Sequence, residues 1–139
     1  VMRNQLGAVF KAYSSDRGET WSLPQTTGMR APESCPEIAR IPGRELLMLV
    51  WNNSEYDPKF RSHYGKRSPL SIALSNTEGE SFIHVGDIET DPKWAYSNPG
   101  VYFLKNGKCI LNYWAVRYTE DWVMKGHIHL KIAIFDVET

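Results

Sequence analysis

A chain of 139 residues is long enough for one domain with a sizeable core. Sixteen basic residues balance sixteen acidic ones, which argues against a nucleic-acid or polyanion surface held by net field. No stretch approaches the roughly 18 apolar residues of a membrane span, so neither nucleic acid nor membrane is an expected partner. The opening residues Val1-Met2-Arg3-Asn4-Gln5-Leu6 carry no signal-peptide pattern, and the chain gives no compartment.

Read in order, the pattern is all-β, with nothing convincingly helical. A strand is expected over about 7–14, a tight turn over Ser14-Ser15-Asp16-Arg17-Gly18-Glu19-Thr20-Trp21, and a returning strand from Thr20 to Leu23. Asp and Ser side chains bond backbone N–H groups two residues on, Gly supplies the turn's freedom, and Trp21 is expected to anchor the return. Gln25 to Ser34 reads as a connecting loop. Cys35–Ile41 and Glu45–Trp51 read as a hairpin around Pro42-Gly43-Arg44, and the continuous apolar second arm suggests a strand buried on both faces. Asn52 to Lys66 is a long polar insertion, a length that is often functional. Leu70–Ser75 and Ser81–Ile88 form the next hairpin. Residues 89–94 are rich in breakers, and Val101–Leu104 and Cys109–Val116 flank a Lys105-Asn106-Gly107-Lys108 turn. His127–Phe135 reads as the last strand.

The turn occurs twice. Ser75-Asn76-Thr77-Glu78-Gly79-Glu80-Ser81-Phe82 repeats the frame 61 residues after Ser14, with Thr for Asp and Phe for Trp. Recurrence at a long period marks a repeat architecture. The first octet resembles a full Asp-box, the bacterial-neuraminidase repeat of sialidases and related β-propellers, and the second resembles a degenerate copy. Glu37-Ile38-Ala39-Arg40-Ile41-Pro42-Gly43-Arg44-Glu45-Leu46-Leu47-Met48-Leu49-Val50-Trp51, Arg67-Ser68-Pro69-Leu70 with Ala73 and Ser75, and Tyr96-Ser97-Asn98-Pro99-Gly100-Val101 are similar to further segments of that family, with Asn98 departing from it. The resemblance implies part of a six-bladed sialidase-like β-propeller made of antiparallel four-stranded blades. At roughly 40–50 residues per blade, the chain holds about two blades plus extra strands. They divide as the end of one blade (1–34), a complete blade (35–88) and most of a third (89–139). Open blade edges are sticky and predict association of copies, a trimer of two blades each being one closed solution.

The resemblance also implies where chemistry would lie. In the family the Asp-boxes (here Ser14, Asp16, Gly18, Trp21, Ser75, Gly79 and Phe82) are structural turns at the rim opposite the substrate face. Sialidases hold a sugar carboxylate with arginines and attack with a tyrosine paired to a glutamate, beside an aspartate acid/base. Guanidinium forks match a carboxylate bidentately, and a neutral tyrosine avoids repulsion by the substrate's own charge. Arg67 is the best-placed arginine, with Arg117 and Arg40 behind it. Tyr96, Asp57 and Glu37 are the candidate catalytic groups, and Trp94, with Trp51 and Trp114, is a candidate sugar platform.

Cys35 and Cys109 lack a C-x-x-C pair or histidines at zinc spacing, and read as small buried or half-buried thiols. No motif calls for a metal or cofactor. Two expectations follow. One is a sialidase-like glycoside hydrolase segment acting on or binding carboxylated, sialic-acid-like sugars once its propeller is complete. The other is a non-catalytic glycan-binding or assembly module, since fold does not fix function.

Overall fold

The computed structural model describes residues 1–60 and 63–137; the long insertion's positions 61–62 and residues 138–139 lie outside that description. Among the described residues it contains nine strands and no helix. The strands are β1 (Ala8–Lys11), β2 (Gln25–Arg30), β3 (Glu37–Arg40), β4 (Leu47–Asn52), β5 (Leu70–Ser75), β6 (Ile83–Glu89), β7 (Trp94–Phe103), β8 (Lys108–Arg117) and β9 (His129–Asp136). They form three antiparallel sheets ordered β1-β2, β3-β4-β5-β6 and β7-β8-β9, an arrangement of partial propeller blades.

The second sheet is sandwiched, and its sequence says why. Successive residues of β4 point to opposite faces. Leu49 and Trp51 join Val9, Ala31 and Ala73 in the core shared with the first sheet. Met48 and Val50 join Ile72, Tyr96, Leu111 and Tyr113 in the core shared with the third. A strand covered on both sides has no polar side to alternate with, so Leu47–Trp51 is uniformly apolar.

Both boxes close as cages around a side-chain oxygen. Asp16 Oδ1 accepts from the Ser14 hydroxyl at 2.7 Å and the Thr20 N–H at 2.9 Å, and Oδ2 accepts from the Thr20 hydroxyl at 2.6 Å. In the second box the Thr77 hydroxyl takes over, accepting the Ser81 N–H at 3.0 Å. Each first serine accepts the glycine N–H, at 2.7 Å for Gly18 and 2.9 Å for Gly79. The fourth position is left-handed in both copies, Arg17 at φ 60° and Glu78 at φ 53°, with glycine following at 94° and 83°. The repeat is thus a repeat of backbone geometry, although only one copy carries the charge.

Three local expectations change. The returning strand is Gln25–Arg30, in the stretch read as a loop, while residues 20–23 are not strand. Pro24 delays the return, after which Thr27 donates its hydroxyl to the Val9 carbonyl at 2.8 Å, and a bulge between Ala8 and Phe10 absorbs the extra length. Trp21 does not anchor the hairpin by burial. It is 64% exposed and is fixed by its indole N–H on the Gly18 carbonyl, whereas Phe82 packs into the core between the first two sheets. Finally, β7 begins at Trp94. It passes Pro99 because the register shifts between Ser97 and Gly100, where Asn98 sits at φ 51° and the ladder needs no proline N–H.

Candidate functional site

Strand register sorts the candidate residues onto two ends of the molecule. β3 and β5 run parallel to each other toward the boxes, so Arg40 and Ser75 lie at the box end. There the Arg40 guanidinium pairs with both carboxylate oxygens of Glu78 in the second box, which raises its pKa. Arg40 is therefore a strut of the rim, remote from the other candidate arginines. The opposite end gathers the segment before β5, the end of β8 and the start of β7, and with them Arg67, Arg117 and Tyr96.

Arg67 is the centre of that end. Its main chain lies along the free edge of β7, donating its N–H to the Tyr118 hydroxyl at 2.9 Å and accepting the Tyr96 N–H at 2.8 Å. Its guanidinium reaches the Ser97 hydroxyl and, at 3.3 Å, the Glu33 carbonyl, and it stands 5.7 Å from the centre of the Trp114 ring. The residue is 2% exposed, and its Nε has no partner among the described residues. Burial, reinforced by Arg3 nearby, pulls the guanidinium down to about 10, so it stays charged at neutral pH. A buried charge usually holds an opposite one. Here the near carboxylate, Glu33, spends its oxygens on Arg3 at 3.0 Å and Gln5 at 3.1 Å. Burial resists ionisation of Glu33, but these two donors outweigh it and lower its pKa.

An aromatic wall stands beside the cluster. Tyr118, Phe60 and Trp122 pack ring against ring at 5.7–6.3 Å, and the Lys66 ammonium sits 3.8 Å from the centre of the Trp122 ring. Outside the boxes, the described non-glycine residues with positive φ are His63, Tyr64, Asn98 and Trp122, all on segments of this end. Strained backbone concentrates where a surface is held in a chosen shape.

A match to the family model of the BNR repeat-like domain covers residues 1–111. The chain belongs to the BNR repeat-like family. No curated protein and no solved structure matches it. Family membership fixes the repeat and the all-β class, while the side chains of this BNR repeat-like chain decide the rest.

The other candidates do not converge on Arg67. Tyr96 and Ser97 are neighbours on β7 and so face opposite sides of the third sheet. Ser97 goes to Arg67, and Tyr96 turns into the seam with the second sheet, where burial and Glu89 push its phenol pKa upward. Trp94 lines the same seam. Asp57, in the long insertion, uses Oδ1 to cap the Lys59 N–H at 2.9 Å and borders a cleft with Arg30 and with Phe60 and Lys66 of the aromatic wall, without touching Arg67. Glu37 is half-buried at the start of β3, its pKa raised by desolvation despite the nearby N-terminal ammonium. Arg117 is exposed beside Lys93, Glu120 and Trp122.

Arg3, Glu33, Ser97 and Tyr118 complete the Arg67 cluster; Ser97 sits in the Tyr96-Ser97 segment singled out in the sequence, whereas Arg3, Glu33 and Tyr118 carry no such mark. The four lie 30 to 64 residues from Arg67, and only the stacking of three sheets brings them together. Among the described residues no group of His, Cys, Asp and Glu could hold a metal ion.

Proposed function

We propose that this BNR repeat-like chain supplies the anion-recognising wall of a carbohydrate site, and that its ligand is a carboxylated sugar of the sialic-acid type. The observation that carries this reading is Arg67: buried, charged and, among the described residues, without a carboxylate of its own and with an unpaired Nε. A carboxylate has the planar two-oxygen shape that a guanidinium fork matches. Arg3 occupies Glu33, which leaves Arg67 as the uncompensated charge of the cluster, and the Tyr118–Trp122 wall offers an apolar flank for a ring.

Titration with N-acetylneuraminic acid and with its methyl ester, followed by ligand-observed NMR, tests the reading. The acid binds and the ester binds at least tenfold more weakly, since losing the charge removes about 1.4 kcal/mol or more. Arg67→Lys keeps the charge but loses the fork, and weakens the acid alone. Equal binding of acid and ester by a folded protein rejects the proposal.

Hydrolysis is the second reading, favoured by one observation: Tyr96 and Glu89 line the same seam, the two residue types that a tyrosine nucleophile and its base need. It requires Tyr96 to share a substrate with Arg67 from the other face of β7. Turnover of a fluorogenic sialoside that Tyr96→Phe abolishes would support it. Binding without turnover would leave recognition as the function.

A further inference from the structure

The seam that captures Tyr96 and Trp94 is itself a cleft of about 550 Å³, within the range of small-molecule sites. Glu89 and Asp91 line it on one side, and Trp94, Tyr96, His129 and Lys131 on the other. Its polar groups are fixed in advance. Glu89 Oε1 accepts the Tyr113 hydroxyl at 2.7 Å and also the Lys131 ammonium. That ammonium stands 5.5 Å and 5.8 Å from the centres of the Tyr96 and Tyr113 rings. Trp94 is half-buried, with the His129 ring 5.6 Å away on a steep tilt, so the indole is held in orientation.

We propose that this cleft is a second ligand site, separate from Arg67, that takes a neutral, hydroxyl-rich ring such as an uncharged sugar unit stacked on Trp94. Charge decides the class. Two carboxylates face one ammonium, so the lining repels the anions that Arg67 attracts. Carboxylate, ammonium and phenol groups, already oriented, can accept from and donate to sugar hydroxyls without further ordering. The indole supplies the flat apolar surface that a ring needs. The two sites lie on opposite faces of β7 and are recognised by opposite chemistry.

The test uses the whole chain and a panel of neutral methyl glycosides of glucose, galactose, mannose, fucose and N-acetylglucosamine, read by saturation-transfer NMR and tryptophan fluorescence. At least one binds saturably. Trp94→Ala weakens it at least about tenfold, Trp94→Phe restores part of the loss, and Arg67→Lys leaves it unchanged. Thermal unfolding confirms that each variant is folded, and Lys131→Met, which removes a donor yet keeps the stem, also weakens binding. Failure of every panel member to bind overturns the proposal. So does unaltered binding in Trp94→Ala, or binding that N-acetylneuraminic acid displaces competitively, which would merge this cleft with the Arg67 site. Because Arg67→Lys is silent here and Trp94→Ala is silent toward N-acetylneuraminic acid, the two proposals stand or fall separately.

Discussion

The Lys11 ammonium, carried by a strand of the first sheet, donates to the Gly79 carbonyl at 2.6 Å inside the second Asp-box and to the Glu80 carbonyl at 2.9 Å. Lys11 is 7% exposed, and the Tyr13 hydroxyl approaches the same glycine. One blade thus grips the turn of the next. Lys11→Met keeps the stem and removes the donor, leaving two carbonyls without it. We expect a loss of about 1.5–3 kcal/mol, read as a lower urea midpoint with an unchanged slope. A change within about 0.5 kcal/mol would mean that water serves the carbonyls equally well.

The two boxes differ in how they meet acid. Hydrogen bonds from Thr20 and then Ser14 hold the Asp16 carboxyl at about 2, below its ordinary 3.8. The folded state therefore releases this proton more readily than the unfolded chain. Its contribution is complete above about pH 4 and fades as pH falls toward 2. Thr77 does not titrate. Acid titration followed at exposed Trp21, whose indole is tied to the same turn, should show a step centred near pH 2 that Asp16→Asn removes. Persistence of the step in that variant would assign it to another carboxylate.

Gly65 is where the long insertion meets the site. Its φ is +141°, and a Cβ there would stand 2.5 Å from both the Glu55 carbonyl oxygen and Pro32 Cβ. Pro32 adjoins Glu33, whose carbonyl holds Arg67. Gly65→Ala should cost on the order of 1–3 kcal/mol and weaken N-acetylneuraminic acid binding, although Gly65 lies outside the Arg67 cluster. An alanine variant with unchanged melting and affinity would show that the insertion moves aside freely.

Cysteine reactivity gives a fourth check. Cys109 is fully buried, and desolvation pushes its thiol to about 11, whereas Cys35 is half-buried near Arg3. Iodoacetamide at pH 8 should modify Cys35 alone in the native protein and both thiols in guanidinium, as counted by mass spectrometry. Labelling of Cys109 at the native rate of Cys35 would show that the third sheet opens readily.

What the sequence made legible was local. Ser14, Gly18, Ser75 and Gly79 act within one turn, so the repeat and its hairpins are readable from neighbours alone. Gln25–Arg30 escaped because it is a mostly exposed outer strand containing Gly28, and its partner β1 reaches it only through a bulge. Arg67 was visible through the short Arg67-Ser68-Pro69-Leu70 segment, but its partners come from the link between β2 and β3 and from the third sheet and its exit. Tyr96 and Trp94 stood out as residues and misled as to place. A single strand position decides which side of the sheet each one serves, and the bulge after Ser97 leaves no reliable mark of that choice. Glu89 and Lys131 had no signal at all, being an ordinary strand-end acid and an ordinary mid-strand base until the seam joins them.

Arg67 also works as a rivet. Its N–H is held by Tyr118 and its carbonyl by the Tyr96 amide, so the residue best placed to grip an anion is also stitched into the joint between two sheets. A pull on its side chain is transmitted to that joint. Hydrogen exchange at a single amide, that of Tyr96, which donates to the Arg67 carbonyl, then serves as a strain gauge for that side chain.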